Sequence, residues 1–328
     1  MRWLPKYWNH ITALHSLLLP VSFIFYMLVV IRRALYRSGI LVVTRLPVPV
    51  IVVGNITVGG SGKTPLTLWL AQQLIDRGWH PGIVSHGYGG SGISPMMVCD
   101  SSNPSEVGDE PVLMAQRKLC PVWVGRDRVG AAQALLLRHP ECDILLSDDG
   151  LQHYHLHRDF EIAVVDGVSR FGNKLMLPAG PLREPLSRLA QVDAVVINGG
   201  VVAMNQYGMQ LQGESFYNLL NPGKSAKAMN FYGQRLYAIA GIGHPQRFFT
   251  HLNGLGLDTR IQAFPDHHNF TSTDLDYPDA DAIFMTEKDA VKCTSFANER
   301  FWVLRVNAQL NDSLLINKIL ERPSFDGH

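Results

Sequence analysis

The chain has 328 residues, with 29 Lys and Arg against 28 Asp and Glu, so its formal net charge is +1. This length allows two packed domains, or one domain with an appendage. A nearly neutral chain without a lysine-rich tail has no field to gather nucleic acid, and we expect no nucleic-acid partner. The four cysteines form no C-x-x-C pair, which argues against a zinc knuckle or a dithiol redox site.

The first candidate element is an apolar segment near the N-terminus. Residues Ile11–Ile31 contain no Asp, Glu, Lys or Arg, and a helix that crosses a bilayer needs about 20 apolar residues. Aromatic residues precede the segment and arginines follow it: Trp3, Tyr7, Trp8, Arg32, Arg33 and Arg37. This arrangement predicts a membrane anchor that leaves the rest of the chain in the cytoplasm. The pattern alone does not separate a spanning helix from an interfacial helix or a buried core helix.

Strands and helices alternate after this segment. Pro47–Ile56 is a continuous apolar run, typical of a buried parallel strand, and a helical stretch follows from about Pro65 to Arg77. Further apolar runs predict strands at Gly82–Ser85, Cys142–Ser147, Phe160–Asp166, Ala194–Asn198, Leu236–Gly241, Ala282–Thr286 and Phe301–Val306. The alternation predicts an α/β fold, with a parallel sheet covered by helices on both faces and a smaller second α/β domain.

A glycine-rich turn joins the first strand to the first helix of this α/β pattern. The turn ends in Gly62–Lys63–Thr64, and its glycines let backbone N–H groups face phosphates at a helix N-terminus. Lys63 would reach the β- and γ-phosphates of ATP, and the Thr64 hydroxyl would ligate Mg²⁺. The predicted nucleotide-binding residues are Thr57, Val58, Gly59, Gly60, Ser61, Gly62, Lys63 and Thr64.

An acidic pair follows another buried strand. Asp148 and Asp149 come at the end of Cys142–Ser147, where a P-loop site needs a carboxylate for Mg²⁺. Adjacent side chains on a strand point to opposite faces, so we expect one direct metal ligand and one catalytic partner. We place Asp148 on the metal and Asp149 beside the reacting phosphate, although the sequence does not decide between them.

The sequence pattern divides the chain into four parts. We expect an N-terminal membrane segment with a basic connector over residues 1–45 and a P-loop domain over 46–204. A connector over 205–234 and a C-terminal α/β domain over 235–328 complete the chain.

Four blocks in order resemble one known family. They are GNITVGGSGKTP (Gly54–Pro65), DDGLQH (Asp148–His153), LPAGPLREP (Leu177–Pro185) and MTEKDAVKC (Met285–Cys293). With the apolar N-terminal segment, they resemble the tetraacyldisaccharide 4'-kinases of lipid A biosynthesis over almost the whole chain. The resemblance implies transfer of the γ-phosphoryl group of ATP to the 4'-hydroxyl of an acylated glucosamine disaccharide 1-phosphate. It also implies a cytoplasmic active site at the inner membrane, in a cleft between two α/β/α units.

The resemblance also implies a catalytic pair. Asp109 lies in a VGDEP block and His267 in an FPDHHNF block, and the family's Asp–His dyad maps onto these two residues. An aspartate that orients a histidine, which takes the hydroxyl proton, suits transfer to an alcohol. From the residues alone, Asp109 as a helix cap and His267 in a surface loop stay open, as does His268 in place of His267.

Other polar residues are candidates for substrate contact. Arg126, Arg128 and Arg183 lie in turn-like segments, and guanidinium groups bind phosphates bidentately, although simple surface charges would give the same pattern. Gln152 follows the acidic pair and is expected to line the same cleft. Thr286–Glu287–Lys288–Asp289 differs in spacing from the guanine-reading element of GTPases, which favours ATP.

Two other functions fit parts of the pattern. One is a P-loop enzyme that acts on a soluble metabolite, and the other is a membrane-anchored ATPase or switch that acts on a protein partner. The combination of an acidic pair with the Asp109 and His267 blocks favours transfer to a hydroxyl over simple hydrolysis.

Overall fold

The computed structural model describes residues 8, 13–88, 90–92, 94–310 and 314–325. Trp3 and Tyr7, which the sequence places in an interfacial aromatic belt, lie outside the described residues. The helices are α1 (Ala13–Arg37), α2 (Lys63–Ile75), α3 (Pro104–Val107), α4 (Asp109–Gln116), α5 (Arg128–Arg138), α6 (Pro245–Gly254), α7 (Glu287–Cys293) and α8 (Leu314–Leu320). Short 3₁₀ turns occur at Leu186–Ala190, Ala228–Phe231, Ser272–Leu275, Thr294–Phe296 and Pro323–Phe325.

The described residues form two sheets, of nine and six strands. The strands of the first sheet are β1 (Val50–Gly54), β2 (Pro81–Ser85), β3 (Met96–Val98), β4 (Val122–Val124), β5 (Ile144–Asp148), β6 (Phe160–Asp166), β7 (Ala194–Asn198), β8 (Tyr207–Gln212) and β15 (Asn307–Leu310). Those of the second are β9 (Ser215–Asn218), β10 (Ser225–Lys227), β11 (Leu236–Ala240), β12 (Thr259–Ala263), β13 (Ala282–Thr286) and β14 (Phe301–Leu304).

The first sheet has the order β15-β8-β7-β6-β1-β5-β2-β4-β3. Its inner pairs are parallel, whereas β3 and β15 are antiparallel to their neighbours at the two edges. The central strand β1 alternates between the two faces, as strand geometry requires. Ile51 and Val53 belong to a core with α2, whereas Val50 and Val52 belong to a core with α5. The prediction of an α/β sheet with helices on both faces is confirmed.

The second sheet has the order β10-β9-β14-β13-β11-β12. Four of its strands are parallel, and β9 and β10 pair antiparallel at one edge. Phe248 and Leu252 of α6 pack on one face, and Ala290 of α7 packs on the other.

The chain path differs from the predicted division at two places. Residues 205–234 are not a plain connector, because β8 extends the first sheet while β9 and β10 belong to the second. The last residues leave the second sheet: β15 pairs with β8, and Leu315, Ile316 and Ile319 of α8 are buried in the core beneath α2. The C-terminal α/β unit, predicted over residues 235–328, therefore ends near β14. The residues after β14 pair with the edge strand β8 and bury the apolar face of α8 in the core of the first sheet.

Among the described residues, the 23-residue segment His15–Arg37 of α1 is long and apolar enough to cross a membrane by length and composition. One side of this helix rests on the protein. The Ser22 hydroxyl donates to the carbonyl of Met176 at 2.8 Å, and Phe25 and Val29 pack against a small core that contains Leu182. The other side is exposed and apolar, with side chains such as Leu17, Phe23 and Leu28.

Candidate active site

The P-loop is held in place by two asparagines. The Asn55 side-chain amide donates to the Gly59 carbonyl and to the Ser61 hydroxyl, both at 3.2 Å. Asn198, at the end of β7, donates to the Ser61 carbonyl at 3.0 Å. Gly62 has a φ of 94°, and a Cβ there would lie 2.5 Å from the Asn198 amide nitrogen, so this position requires glycine.

One predicted nucleotide contact is engaged elsewhere. The backbone N–H of Val58 donates to the Pro181 carbonyl at 2.8 Å, and Thr57 forms a bridge with Leu182. These residues therefore join the P-loop to the 177–185 block. Gly59, Gly60, Ser61 and Gly62 lead from this junction into α2, which begins at Lys63.

The two residues of the acidic pair, Asp148 and Asp149, have different partners. Asp148 is fully buried, and its Oδ1 accepts a hydrogen bond of 2.9 Å from the Thr67 hydroxyl. Burial, together with the charges of Glu110 and Asp149, raises the pKa of Asp148 to about 7. Asp149 instead lies 3.7 Å from Lys63 Nζ, with Arg183 Nη1 at 3.2 Å. Burial alone would raise the pKa of Asp149, but Lys63 and Arg183 outweigh it and lower that pKa to about 2.

The arginines predicted to bind substrate have different positions. Arg183 pairs with Asp149, and Arg126 is exposed just before α5. Arg128 is buried, and its Nη2 donates to the Asp148 carbonyl at 2.7 Å. Burial lowers the pKa of Arg128 to about 10, so it remains a cation that fixes the backbone of the acidic pair. Arg128 directly follows Asp127, the cap of α5, and this is the local signal in the sequence that could have indicated a supporting role.

Asp109 and His267 meet across the two sheets. Asp109 is the first residue of α4, and its Oδ2 lies 3.0 Å from His267 Nδ1. The helix cap is Gly108, so Asp109 does not cap α4. Burial opposes ionisation of Asp109, but the hydrogen bond to His267 and the charge of Lys288 hold its pKa below the ordinary value. The hydrogen bond to Asp109 raises the pKa of His267.

His268 has a different environment from His267. Its Nε2 lies 3.2 Å from the Asp274 carboxylate, and its ring stacks on Phe264 and meets Phe270 edge-on. His268 therefore belongs to the packing of its loop, whereas His267 faces the first sheet. Of the two neighbouring histidines, the structure brings His267 to Asp109.

The Thr286–Asp289 element is occupied by structural contacts. Thr286 caps α7, Glu287 accepts from Arg117 at 2.7 Å, and Asp289 accepts from the Gly241 backbone N–H at 3.0 Å. Lys288 faces the dyad: its Nζ lies 3.3 Å from His267 Nε2 and 3.2 Å from Glu110. Sequence reasoning compared this element with a guanine reader and missed these contacts.

A cavity of about 390 Å³ opens beside Asp149. It lies between α1 and the first sheet and is lined by Phe25, Val29, Arg32, His86, Tyr88, Asp149, Gln152, His153, Tyr154, Leu177, Arg183 and Glu184. Two predicted substrate residues, Arg183 and Gln152, are in this lining. The Gln152 amide is fixed by the Asn55 carbonyl at 3.0 Å and by Glu184 at 2.8 Å.

Two histidines that the sequence did not assign to substrate share this cavity. The His86 and His153 rings lie 5.6 Å apart. Burial, with the nearby Arg128 charge, lowers the pKa of both, that of His153 to about 3. They are neutral imidazoles at physiological pH and can exchange hydrogen bonds with uncharged polar groups.

The second sheet reaches over the P-loop. A Cβ on Gly243, in the turn between β11 and α6, would lie 3.6 Å from the Gly60 backbone nitrogen. Arg247 of α6 forms an ion pair of 2.7 Å with Asp166 at the end of β6. The P-loop therefore lies between the two sheets.

Comparison with known proteins shows which family the chain resembles. The family model for tetraacyldisaccharide-1-P 4'-kinase matches residues 14–323. A tetraacyldisaccharide 4'-kinase of Methylobacillus flagellatus is 50% identical over 98% of this chain and 96% of its own length. One of Pasteurella multocida is 44% identical over 93% of this chain and 94% of its own.

A solved structure shows the same fold. The crystal structure of the "apo" form of LpxK from Aquifex aeolicus in complex with ATP is 29% identical, with a TM-score of 0.80, over 94% of this chain and 99% of that one. The extent of these matches shows that the chain belongs to the tetraacyldisaccharide 4'-kinase family.

Proposed function

We propose that the chain transfers the γ-phosphoryl group of ATP to the 4'-hydroxyl of a tetraacylated glucosamine disaccharide 1-phosphate, with Lys63, Asp149, Asp109 and His267 as its catalytic residues. The observation that carries these assignments is the position of Asp149. It lies 3.7 Å from the P-loop lysine and also lines the 390 Å³ cavity, so the phosphate donor and the cavity adjoin at this residue.

The proposed acceptor cavity also adjoins the dyad. Tyr88 lines the cavity, and its ring centre lies 5.5 Å from that of His267. A hydroxyl bound in the cavity would therefore have the phosphate site on one side and the dyad on the other. This is the arrangement that phosphoryl transfer to an alcohol needs, since catalysis depends mainly on positioning and charge.

The contacts of the dyad favour Asp109, rather than His267, as the general base. Lys288 Nζ lies beside His267 Nε2, and Asp109 lies beside Nδ1, so both ring nitrogens have a protein neighbour. Asp109 Oδ1 accepts from the Glu110 backbone N–H and Oδ2 lies beside His267, but each carboxylate oxygen has two lone pairs and can accept a further hydrogen bond. We infer that the Asp109 carboxylate takes the hydroxyl proton and that the His267 imidazole orients it. This reverses the division of roles expected from the sequence.

The residues present fit Mg²⁺. Asp148 Oδ2 is a buried carboxylate oxygen without a hydrogen-bond partner among the described residues. Thr64 lies in the first turn of α2, and Thr67 of the same helix hydrogen-bonds Asp148. Hard oxygen donors of this kind suit Mg²⁺. We propose that Thr64 and Asp148 hold the ion, because Asp149 is already paired with two cations. The bound ion would neutralise charge on the β- and γ-phosphate oxygens.

We propose that α1 holds the enzyme at the cytoplasmic face of the inner membrane. Its exposed apolar side matches a lipid phase, and Arg32, Arg33 and Arg37 follow where headgroups would begin. Because its opposite side packs on the protein from Ser22 to Val29, an interfacial position is favoured over an independent span. Phe25 and Val29 also line the cavity, so the cavity adjoins the helix that is proposed to meet the membrane.

The decisive experiment measures transfer from γ-labelled ATP to the purified acylated disaccharide 1-phosphate in detergent micelles, with and without Mg²⁺. We expect labelled bisphosphorylated lipid only with Mg²⁺ and only when Lys63 is intact. Steady ATP hydrolysis by the folded protein without labelled lipid would overturn the proposal and favour an ATPase.

A further inference from the structure

Lys288 occupies a position that the phosphoryl-transfer roles proposed above leave unused. It is the second residue of α7, and only 17% of its side chain is exposed. Its Nζ approaches three groups: Glu110 at 3.2 Å, Asp266 at 3.5 Å and His267 Nε2 at 3.3 Å. A buried ammonium needs such partners, and two carboxylates supply them.

The contacts of the His267 ring with Lys288 and Asp109 decide which ring nitrogen carries the proton. An ammonium group can only donate, so Nε2 must accept and therefore carries no proton in this arrangement. The ring proton then lies on Nδ1 and is donated to Asp109 Oδ2, 3.0 Å away. The contact is compatible only with a neutral imidazole, since an imidazolium would bring two cations together.

We propose that Lys288 is a positioning residue of the dyad: its ammonium group disfavours the imidazolium form of His267, so the ring stays neutral with its proton on Nδ1, and Asp109 stays an ionised, correctly oriented base. The inference rests on the proposed function of the dyad. It also gives a reason for a lysine in the first turn of α7, after the cap Thr286 and Glu287. The helix dipole disfavours a cation at this end of a helix.

Several charged or titratable groups face the dyad. Lys288 and Lys292 of α7 favour the ionised form of Asp109. Glu110 of α4 and Asp266 beside His267 hold Lys288, and Tyr88 packs against the His267 ring. Lys288 opposes, and Asp109 and Asp266 favour, protonation of His267. Removal of the Lys288 charge therefore lets the dyad bind its proton more tightly.

The test compares pH profiles of kcat/KM for transfer to the acylated disaccharide, using wild type, Lys288→Met and Lys288→Arg. We expect Lys288→Met to move the acid limb about one pH unit upward, the usual size for a close like charge. Lys288→Arg keeps the positive charge, so its acid limb should lie at the wild-type pH. Lys224→Met removes an exposed cation in the turn before β10, over the ring of Trp302, and should leave the limb in place.

A second measurement does not depend on turnover. The nitrogen NMR signals of histidine-labelled protein report the tautomer, and His267→Gln identifies the peaks of this residue. We expect Nδ1–H in wild type at alkaline pH, and in Lys288→Met a ring that takes up its second proton at a pH about one unit higher. An Nε2–H ring in wild type, or an acid limb that Lys288→Met does not move while product still forms, would overturn the inference. Absence of lipid product from wild type would count against the proposed function, whereas the pH at which the His267 ring is protonated still tests Lys288.

Discussion

Asp109 Oδ2 and His267 Nδ1 lie 3.0 Å apart although the residues are 158 positions apart in the chain. Asp109 begins α4 beside the first sheet, and His267 lies in the loop after β12 of the second. The dyad therefore exists only when the two sheets are together. The ion pair of Arg247 with Asp166 supports the same arrangement.

Lys63→Ala is expected to abolish transfer while the protein still folds. Lys63 is the P-loop cation beside Asp149, and electrostatic contacts to a transferring group contribute on the order of 3 kcal/mol or more. Labelled-lipid formation measures the loss, and circular dichroism checks the fold. A variant with more than about a tenth of the wild-type rate would contradict this role, since that loss is only about 1.4 kcal/mol.

Asp148→Ala is also expected to abolish transfer. The substitution removes the partnerless Oδ2 proposed to face Mg²⁺, together with the acceptor of the Thr67 hydrogen bond. Thr67→Val removes the same hydrogen bond and keeps the carboxylate, so it is the matched control. Equal loss in both variants would mark Asp148 as structural.

Asp109→Ala should lower turnover far more than it weakens ATP binding. A general base contributes about 10²- to 10⁴-fold to the rate, whereas Asp109 pairs with His267 rather than with the P-loop. Turnover and nucleotide affinity are measured separately, by labelled-lipid formation and by calorimetry. Equal losses in the two quantities would indicate a structural role for Asp109.

His267→Gln and His268→Gln should have unequal effects. The first removes the partner of Asp109 and should reduce turnover about tenfold or more, since oriented bases lose efficiency when their partner is lost. The second removes a contact with Asp274 inside its own loop and should leave turnover near wild type. The reverse ranking would assign the catalytic role to His268.

The raised pKa of His267 predicts opposite pH effects on stability and activity. A group whose pKa is raised on folding stabilises the protein below its unfolded pKa and loses that contribution as pH rises through the folded value. Denaturant unfolding should therefore show a larger difference between wild type and His267→Gln at about pH 6 than at about pH 9. Turnover should instead rise over this interval, because Asp109 works beside a neutral imidazole. A stability difference that does not change with pH would rule out the ionic contact with Asp109.

Charges on the exposed side of α1 should release the protein from lipid. Phe23 and Leu28 are 63% and 61% exposed, so Phe23→Glu with Leu28→Glu should sharply reduce sedimentation with anionic vesicles without unfolding. Leu137→Glu, on an exposed face of α5 far along the chain, is the control. Unchanged vesicle binding of the double variant would count against α1 as the anchor.

The sequence by itself determined the features that depend on neighbouring residues. The buried strand β1, the glycine-rich turn and the helix after it follow from apolar patterning and from the glycines of the turn, which are local properties. The four ordered blocks added the family, and with it the pair Asp109 and His267. Even the acidic pair was found locally, because it ends a buried strand.

Only the tertiary structure decided which of these groups touch. Arg183 pairs with Asp149 in the lining of the cavity, Arg128 donates to the backbone of the acidic pair, and β15 with α8 packs on the first sheet. Lys288 reached His267 only because α7 packs beside α4 across the two sheets. The physical reason is that buried charges, open sheet edges and apolar helix faces must each find a partner, and partners distant in sequence become neighbours only when the chain closes.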